Sequence, residues 1–224
     1  MKIVVMISAN AEWKAAKKIF SRLEIHSSPY GETAHLNLGG FDLKLFHSGW
    51  GKIASAGAIQ YAIDRDRPDL IVNLGSCGGF EGAINLGDIV LVERTFIYDI
   101  VELMGDYDFV EYYASTLDLG WVAEPYPFPV RKGILASADS DLPPARIAYL
   151  KSQGAIAGDW ESGALAWVAK KNAARLLILR GVTDLVNEDT GEAYDNLALF
   201  EERTEGVMRT LFDQLPGWLE RVRI

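Results

Sequence analysis

Five polar residues stand where chemistry is commonly placed in α/β proteins. Glu12, Ser76, Asp139, Glu161 and Asp184 each come just after an apolar run that reads as a strand. The carboxyl ends of parallel strands share one sheet edge, so five scattered positions can converge on one cleft. Carboxyl groups of that kind divide acid and base work between them. Burial raises one pKa, while a solvated, hydrogen-bonded setting keeps another ionised. Asp184, following the apolar run Leu176 to Leu179, is the better candidate for the raised pKa. Glu12 suits the ionised role. Each also has a plainer explanation. Glu12 falls in a first helical turn, where the dipole favours a carboxylate. Asp159 or Ser162 could cap the next helix, Asp184 could be an exposed loop acid, and Cys77 a small packing residue.

The stretch from Ile71 to Phe80 organises the rest. Leu70 to Leu74 reads as a strand buried on both faces. Gly75, Gly78 and Gly79 then predict a loop whose backbone can approach a ligand closely. A second glycine pattern, Gly49-x-Gly51-x-x-Ala54, matches the dinucleotide fingerprint. Such a site also needs an acid at the end of the following strand. That strand ends in Asn73-Leu74-Gly75, so no NAD site is expected.

The elements that would position these residues alternate along the chain. Lys2 to Ile7 predicts a strand, and Asn10 caps a helix to about Leu23. A hairpin turns at Gly39-Gly40 between Thr33–Leu38 and Phe41–His47. A helix then runs to about Asp64, and further strands fall at Ile89–Thr95, Gly133–Ser137, Ala155–Gly158 and Leu176–Arg180. Residues 100 to 131, rich in aromatics, acids and proline, read as an excursion of little regular structure serving as a lid or interface. Helices follow Pro143-Pro144 and Glu161, and a last one spans Tyr194 to Leu215 before Pro216-Gly217 breaks it. The alternation predicts an α/β fold with a mixed, mostly parallel twisted sheet and helices on both sides.

With 224 residues, 49% of them apolar, and no linker or repeat, a single domain over residues 1–224 is expected. There are 22 basic and 31 acidic residues, for a net charge of −9. That balance argues against a nucleic-acid or anionic-membrane partner. Met1 to Ser8 is too short for a signal peptide or a transmembrane span. One cysteine excludes an internal disulfide and fits a reducing cytoplasm. His26, His35 and His47 lack metal-ligand spacing, so no metal is expected.

Seven blocks then fall in order: Ala9-Asn10-Ala11-Glu12, Ser48-Gly49-Trp50-Gly51-Lys52, Asn73 to Gly79, Gly87-Asp88-Ile89-Val90, Ser137-Ala138-Asp139, Trp160-Glu161 and Thr183-Asp184. In this combination, from Met1 to about Leu199, the chain resembles the 5'-methylthioadenosine/S-adenosylhomocysteine nucleosidases of the nucleoside phosphorylase superfamily. The resemblance implies a three-layer α/β/α fold, a homodimer, no cofactor, and cleavage of the N-glycosidic bond of a purine nucleoside. It matches Glu12 with the carboxylate that activates water and Asp184 with the acid serving purine N7. Glu161 matches the carboxylate that binds the ribose hydroxyls, while Ser76 and Arg180 match positions lining water and ribose. Ala9, Trp50, Asp139 and Trp160 complete the expected substrate-binding set.

The departures concentrate in the walls of the expected pocket. The family often has Met at Ala9, Ile at Trp50, Met at Trp160, Ser at Thr183 and a stacking Phe near Asp141. Three other functions share the fold: a phosphorylase, a futalosine hydrolase and a non-catalytic nucleoside-binding module. The hexameric phosphorylases carry Arg where Asn73 stands, and futalosine hydrolases usually carry Asn where Asp184 stands. Intact Glu12, Glu161 and Asp184 speak against the binding module.

Overall fold

Apolar runs separated by turn residues become strands, and stretches of helical period become helices. The computed structural model describes residues 1–223. The single domain expected over 1–224 therefore ends on a residue, Ile224, outside those described. In chain order the elements are β1 (Ile3–Ile7), α1 (Asn10–Ile19), β2 (Ile25–Ser28), β3 (Gly31–Leu38), β4 (Phe41–His47) and α2 (Gly51–Asp66). Next come β5 (Leu70–Phe80), β6 (Ile89–Ile97), α3 (Phe109–Tyr113), β7 (Ser115–Thr116) and β8 (Arg131–Ser137). The chain closes with α4 (Ile147–Ser152), β9 (Ala155–Asp159), α5 (Ser162–Lys171), β10 (Leu176–Val186) and α6 (Leu197–Leu219).

The sheet is mixed and runs β2-β3-β4-β1-β5-β9-β8-β6-β10, with β10 also pairing back onto β5. The first half of β5 lies between β1 and β10, both parallel to it. Its second half lies between β10 and the antiparallel β9. Five strands, β5, β10, β6, β8 and β9, thus close on one another, while β1, β4, β3 and β2 extend from β5 as an open sheet.

Every residue of β1 is buried, and alternate side chains serve opposite layers. Ile3, Val5 and Ile7 join α1 and α6 through Trp13, Ala16, Met208 and Phe212. Val4 and Met6 join α2 and α5 through Ile59, Ala62, Leu165 and Ala169. Each large apolar side chain so enclosed contributes about 1.5–3 kcal/mol. The result is the sheet with helices on both sides expected from the alternation, in the three layers that the resemblance implies.

Several features differ from expectation. Helix α1 stops at Ile19, and Phe20 turns edge-on to Phe212 at 4.9 Å. Strand β2 was not anticipated, because Ile-His-Ser-Ser carries no alternating apolar signal. Both β5 and β10 extend well beyond their apolar runs. Helix α6 continues through Pro216. Proline inside a helix costs about 3 kcal/mol. Beyond it lie Trp218 and Leu219, both buried, with Tyr126 stacked on Trp218 at 5.1 Å. Their burial offsets the missing hydrogen bond.

Candidate active site

At the carboxyl ends of β1, β5, β9 and β10 lies a cavity of about 620 Å³. Ala9, Glu12, Trp50, Ser76, Trp160, Glu161 and Asp184 line it, together with Asp141 and Leu142 from the turn after β8. Arg180 and Asp139, expected among the substrate-binding residues, do not. Arg180 lies beneath the floor at 1% exposure. Asp139 turns away to Lys52, whose backbone N–H donates to its Oδ1 at 2.7 Å.

The position of Glu12 follows from how α1 begins. Ala9, not the expected Asn10, is the N-cap, and its side chain has no acceptor for the open amides. Glu12 reaches back instead, its Oε2 accepting from Ser8 N–H at 3.2 Å and Ala9 N–H at 3.0 Å. The other oxygen accepts from Ser76, backbone N–H at 2.7 Å and Oγ at 3.0 Å, and from Arg180 Nη1 at 3.4 Å. The helix-end explanation and the functional one therefore describe the same side chain.

The glycines of β5 do a different job from the one expected of them. They form no loop, because β5 stays paired with β10 as far as Phe80. Instead they leave room for side chains that cross the strand. A Cβ on Gly75 would lie 2.6 Å from Glu12 Oε1 and closer still to the Arg180 guanidinium. At Gly78 a Cβ would lie 2.8 Å from Leu142 and 3.5 Å from Asp184 Oδ2.

Arg180 fastens the floor. Its Nε donates to Ser162 Oγ at 3.1 Å, Nη1 to Ser76 O at 3.1 Å, and Nη2 to Asn73 Oδ1 at 2.8 Å. Nη2 also lies 3.0 Å from Asp159 Oδ2 and 3.8 Å from Glu161 Oε2. Three carboxylates thus surround one buried cation, which no longer needs solvent. Asp159 is held in turn by the Ser137 hydroxyl at 2.7 Å and the Ser162 hydroxyl at 2.5 Å. Glu161 accepts from Gly51 N–H at 3.1 Å. Burial pushes its pKa up to about 8, and Asp159 and Glu12 add to the rise against the pull of Arg180.

Asp184 owes its direction to a bulge. Register along β5 slips between Val182, opposite Cys77, and Asp184, opposite Gly78, leaving Thr183 unpaired. The Thr183 hydroxyl donates to Asp184 Oδ1 at 2.9 Å. Burial raises the Asp184 pKa despite that bond, and Glu192 and Asp141 raise it further. Cys77, also buried, has its thiol pKa pushed well up by desolvation, which suits a packing residue rather than a nucleophile.

Sequence reasoning missed the roles of Asp159 and Ser162 on the floor, and the segment before α6. Ala193, Tyr194, Asp195 and Asn196 line the cavity with Leu197 and Phe200. Tyr194 donates its hydroxyl to the Leu142 carbonyl, closing the wall. The aromatic pair Tyr194 and Phe200 was the available signal, and it was absorbed into the helix forecast.

A three-layer fold of this kind, with an acid-lined cavity at its strand ends, defines an α/β protein built to hold a small polar ligand. A model of the phosphorylase superfamily matches residues 3–213, and the chain belongs to that superfamily. The chain is 25% identical over 209 residues to the 5'-methylthioadenosine/S-adenosylhomocysteine nucleosidase of Bacillus cytotoxicus, covering 87% of this chain and 90% of that protein. It is 27% identical over 172 residues to the nucleosidase of the same name from a Geobacillus species, covering 70% and 74%. The fold matches the Streptococcus pneumoniae MTA/SAH nucleosidase solved with 8-aminoadenine, at TM-score 0.82 and 20% identity over 99% of this chain and 100% of that one. It also matches the Campylobacter jejuni nucleosidase, at TM-score 0.80 and 17% identity over the same shares.

Proposed function

We propose that the protein hydrolyses the N-glycosidic bond of a purine nucleoside, 5'-methylthioadenosine or a related adenosine. Glu12 takes a proton from the attacking water and Asp184 protonates purine N7. The observation carrying this reading is the pair of carboxyls on one cavity in opposite settings, Glu12 wrapped by donors and Asp184 buried with a raised pKa. Cleavage passes through an oxocarbenium-like sugar, so positive charge grows at C1' as negative charge moves onto the base. An ionised Glu12 suits the water side, and a protonated Asp184 suits the leaving side. The Ser76 hydroxyl is the rotatable member of the Glu12 shell and can turn to an incoming water. Glu161 grips the ribose hydroxyls, and Arg180 acts from below by holding Glu12 and Glu161. The named relatives support the substrate class.

The superfamily's name raises the phosphorolytic alternative. Six acids line the cavity, Glu12, Asp141, Asp159, Glu161, Asp184 and Asp195, and no Lys, Arg or His is among the described lining residues. A phosphate dianion would meet repulsion there, whereas water would not. Trp50, lining the cavity and 58% exposed, takes space a long 5'-tail would need and so favours methylthioadenosine over S-adenosylhomocysteine. The protein acts as a homodimer.

One assay tests substrate and reaction together: base release from both nucleosides and from adenosine, with and without phosphate. Phosphate-independent release with free sugar as product is expected. Release that requires phosphate and yields a sugar 1-phosphate would overturn the hydrolytic reading. Equal kcat/KM for the two thio-substrates would overturn the role given to Trp50.

A further inference from the structure

The start of α2 has no cap of its own. Trp50, at the N-cap position, offers no side-chain hydrogen bond, and the first turn carries no acid. Yet its first two amides are each bonded to a carboxylate from another element. Gly51 N–H donates to Glu161 Oε1 at 3.1 Å, and Lys52 N–H donates to Asp139 Oδ1 at 2.7 Å. Asp139 is itself clamped. Lys52 Nζ pairs with Asp99 and lies 3.4 Å from Asp139 Oδ2, and Asp99 Oδ2 accepts from Asp139 N–H at 2.9 Å. Gly51 has φ +81°, and a Cβ there would sit 2.8 Å from Asp139 Oδ1, so the carboxylate lies directly against the Gly51 backbone.

We propose that Asp139, clamped by Lys52 and Asp99, is a positioning residue that aims the Gly51 N–H at Glu161 and so keeps that carboxylate oriented for the ribose. The inference rests on the reading of Glu161 as the ribose-binding group. Lys52, Asp99 and Asp139 all lie off the cavity wall, so their influence on a ligand must pass through the α2 terminus. The N–H groups of residues 51 and 52 belong to successive peptide planes hinged at the Gly51 Cα, and Asp139, bonded to the second plane and lying against that Cα, restrains the hinge on which the first plane turns. The charged groups facing Glu161 are Arg180 from β10, Asp159 from β9 and Glu12 from α1; the Gly51 N–H works with Arg180 to favour the ionised form. Only the ionised carboxylate can accept from two hydroxyls on all its lone pairs. Ligand affinity should therefore fall as pH drops through the raised Glu161 pKa, along a limb set by that residue.

The test uses an adenosine analogue with a C–C glycosidic bond, which binds but cannot be cleaved. Its affinity is measured by calorimetry across pH, beside base-release kinetics, for the wild type, Asp139→Ala, Asp139→Asn and Lys52→Gln. Asp139→Ala should weaken analogue binding and raise KM by about tenfold, with a much smaller change in kcat. Its acid limb should move to higher pH by about one pH unit. Asp139→Asn keeps an oxygen for the Lys52 N–H and should recover part of the loss. A limb that stays in place in Asp139→Ala, or a loss confined to kcat, overturns the proposal and leaves Asp139 a merely structural residue. The Asp139 side chain is 40% exposed, so its variants are expected to fold. If Asp139→Ala does not, Lys52→Gln carries the same expectation and the same overturning result. A wild type that binds the analogue but releases no base would overturn the hydrolase reading alone, with the binding limb still deciding the role of Asp139. A wild type that fails to bind overturns both.

Discussion

Among the described residues, the carboxyl of Glu12 meets five donor contacts, from Ser8, Ala9, Ser76 twice and Arg180, whereas that of Asp184 meets one, the Thr183 hydroxyl. Burial with a single donor favours the acid form of Asp184. Glu12→Gln should keep the fold and analogue binding while removing most turnover, by about 10²–10⁴-fold for a lost general base. Asp184→Asn should do the same from the leaving-group side. Near-full kcat in either variant would refute the role given to that residue. Glu161 yields a pH prediction. Its pKa rises from 4.5 to about 8 on folding, chiefly through burial. Below the lower value, folded and unfolded chains both hold the proton. Between the two the unfolded chain releases it and the folded chain keeps it, so stability declines as pH rises. Glu161→Gln cannot titrate, and urea unfolding at several pH values should show a shallower decline. Parallel curves for the two proteins would contradict the shift.

At the scale of elements, β5 and β10 together carry the floor, and the glycines decide whether it fits. Gly75→Ala would drive a methyl into the Arg180 guanidinium and Glu12 Oε1. Overpacking of this kind costs about 1–3 kcal/mol. The variant should lose that much stability in urea unfolding and most of its base release as well; wild-type stability would show that the floor can yield. This crossing of side chains over a strand explains what the sequence could and could not reveal. The residue types at Glu12, Ser76, Glu161 and Asp184, and their place after apolar runs, were legible because strand ends converge in an α/β sheet. Gly75, Gly78 and Gly79 were read as a loop, since glycine signals turns and close approach alike. Which of the two applies depends on Arg180, more than a hundred residues away. Asp139 sits at a strand end like the others, yet its carboxylate turns to Lys52, and nothing local to Ser137-Ala138-Asp139 encodes that rotation. The continuation of α6 past Pro216 was equally hidden, because its cause is Trp218 buried under Tyr126.

For the whole molecule, several of the exposed apolar side chains fall in two regions beside the site. Trp50 and Ile53 stand at the start of α2, and Val101, Leu103, Met104 and Tyr107 on the segment after β6, all more than half exposed. The Lys52–Asp99 pair brings those two regions together. A surface of this character costs free energy while it faces water and favours association. It is the part of the chain on which the proposed homodimer would form. Leu103→Glu combined with Met104→Glu should shift sedimentation from dimer to monomer without lowering the melting temperature of the isolated chain. A wild type that sediments as a monomer at high concentration would refute the assembly.

The closed set of five strands has a further consequence, for how the chain comes to exist. Strand β10 sits between β5 and β6 but is made of residues 176–186, far downstream of both. During synthesis, β5 must wait for a partner about a hundred residues younger, and loop closure over such distances is slow. Until Leu176 leaves the ribosome, β5 presents an unpaired edge of apolar residues and glycines, the kind of edge on which other chains aggregate. Arg180 arrives on the same strand, so Glu12 and Ser76 also remain without their shared cation until then. Ribosome-arrested chains ending before Leu176 should accordingly be cut readily within β5 by a protease, and chains extending past Leu219 should resist. The site is therefore assembled late and all at once, so a truncated chain has no partly working version of it.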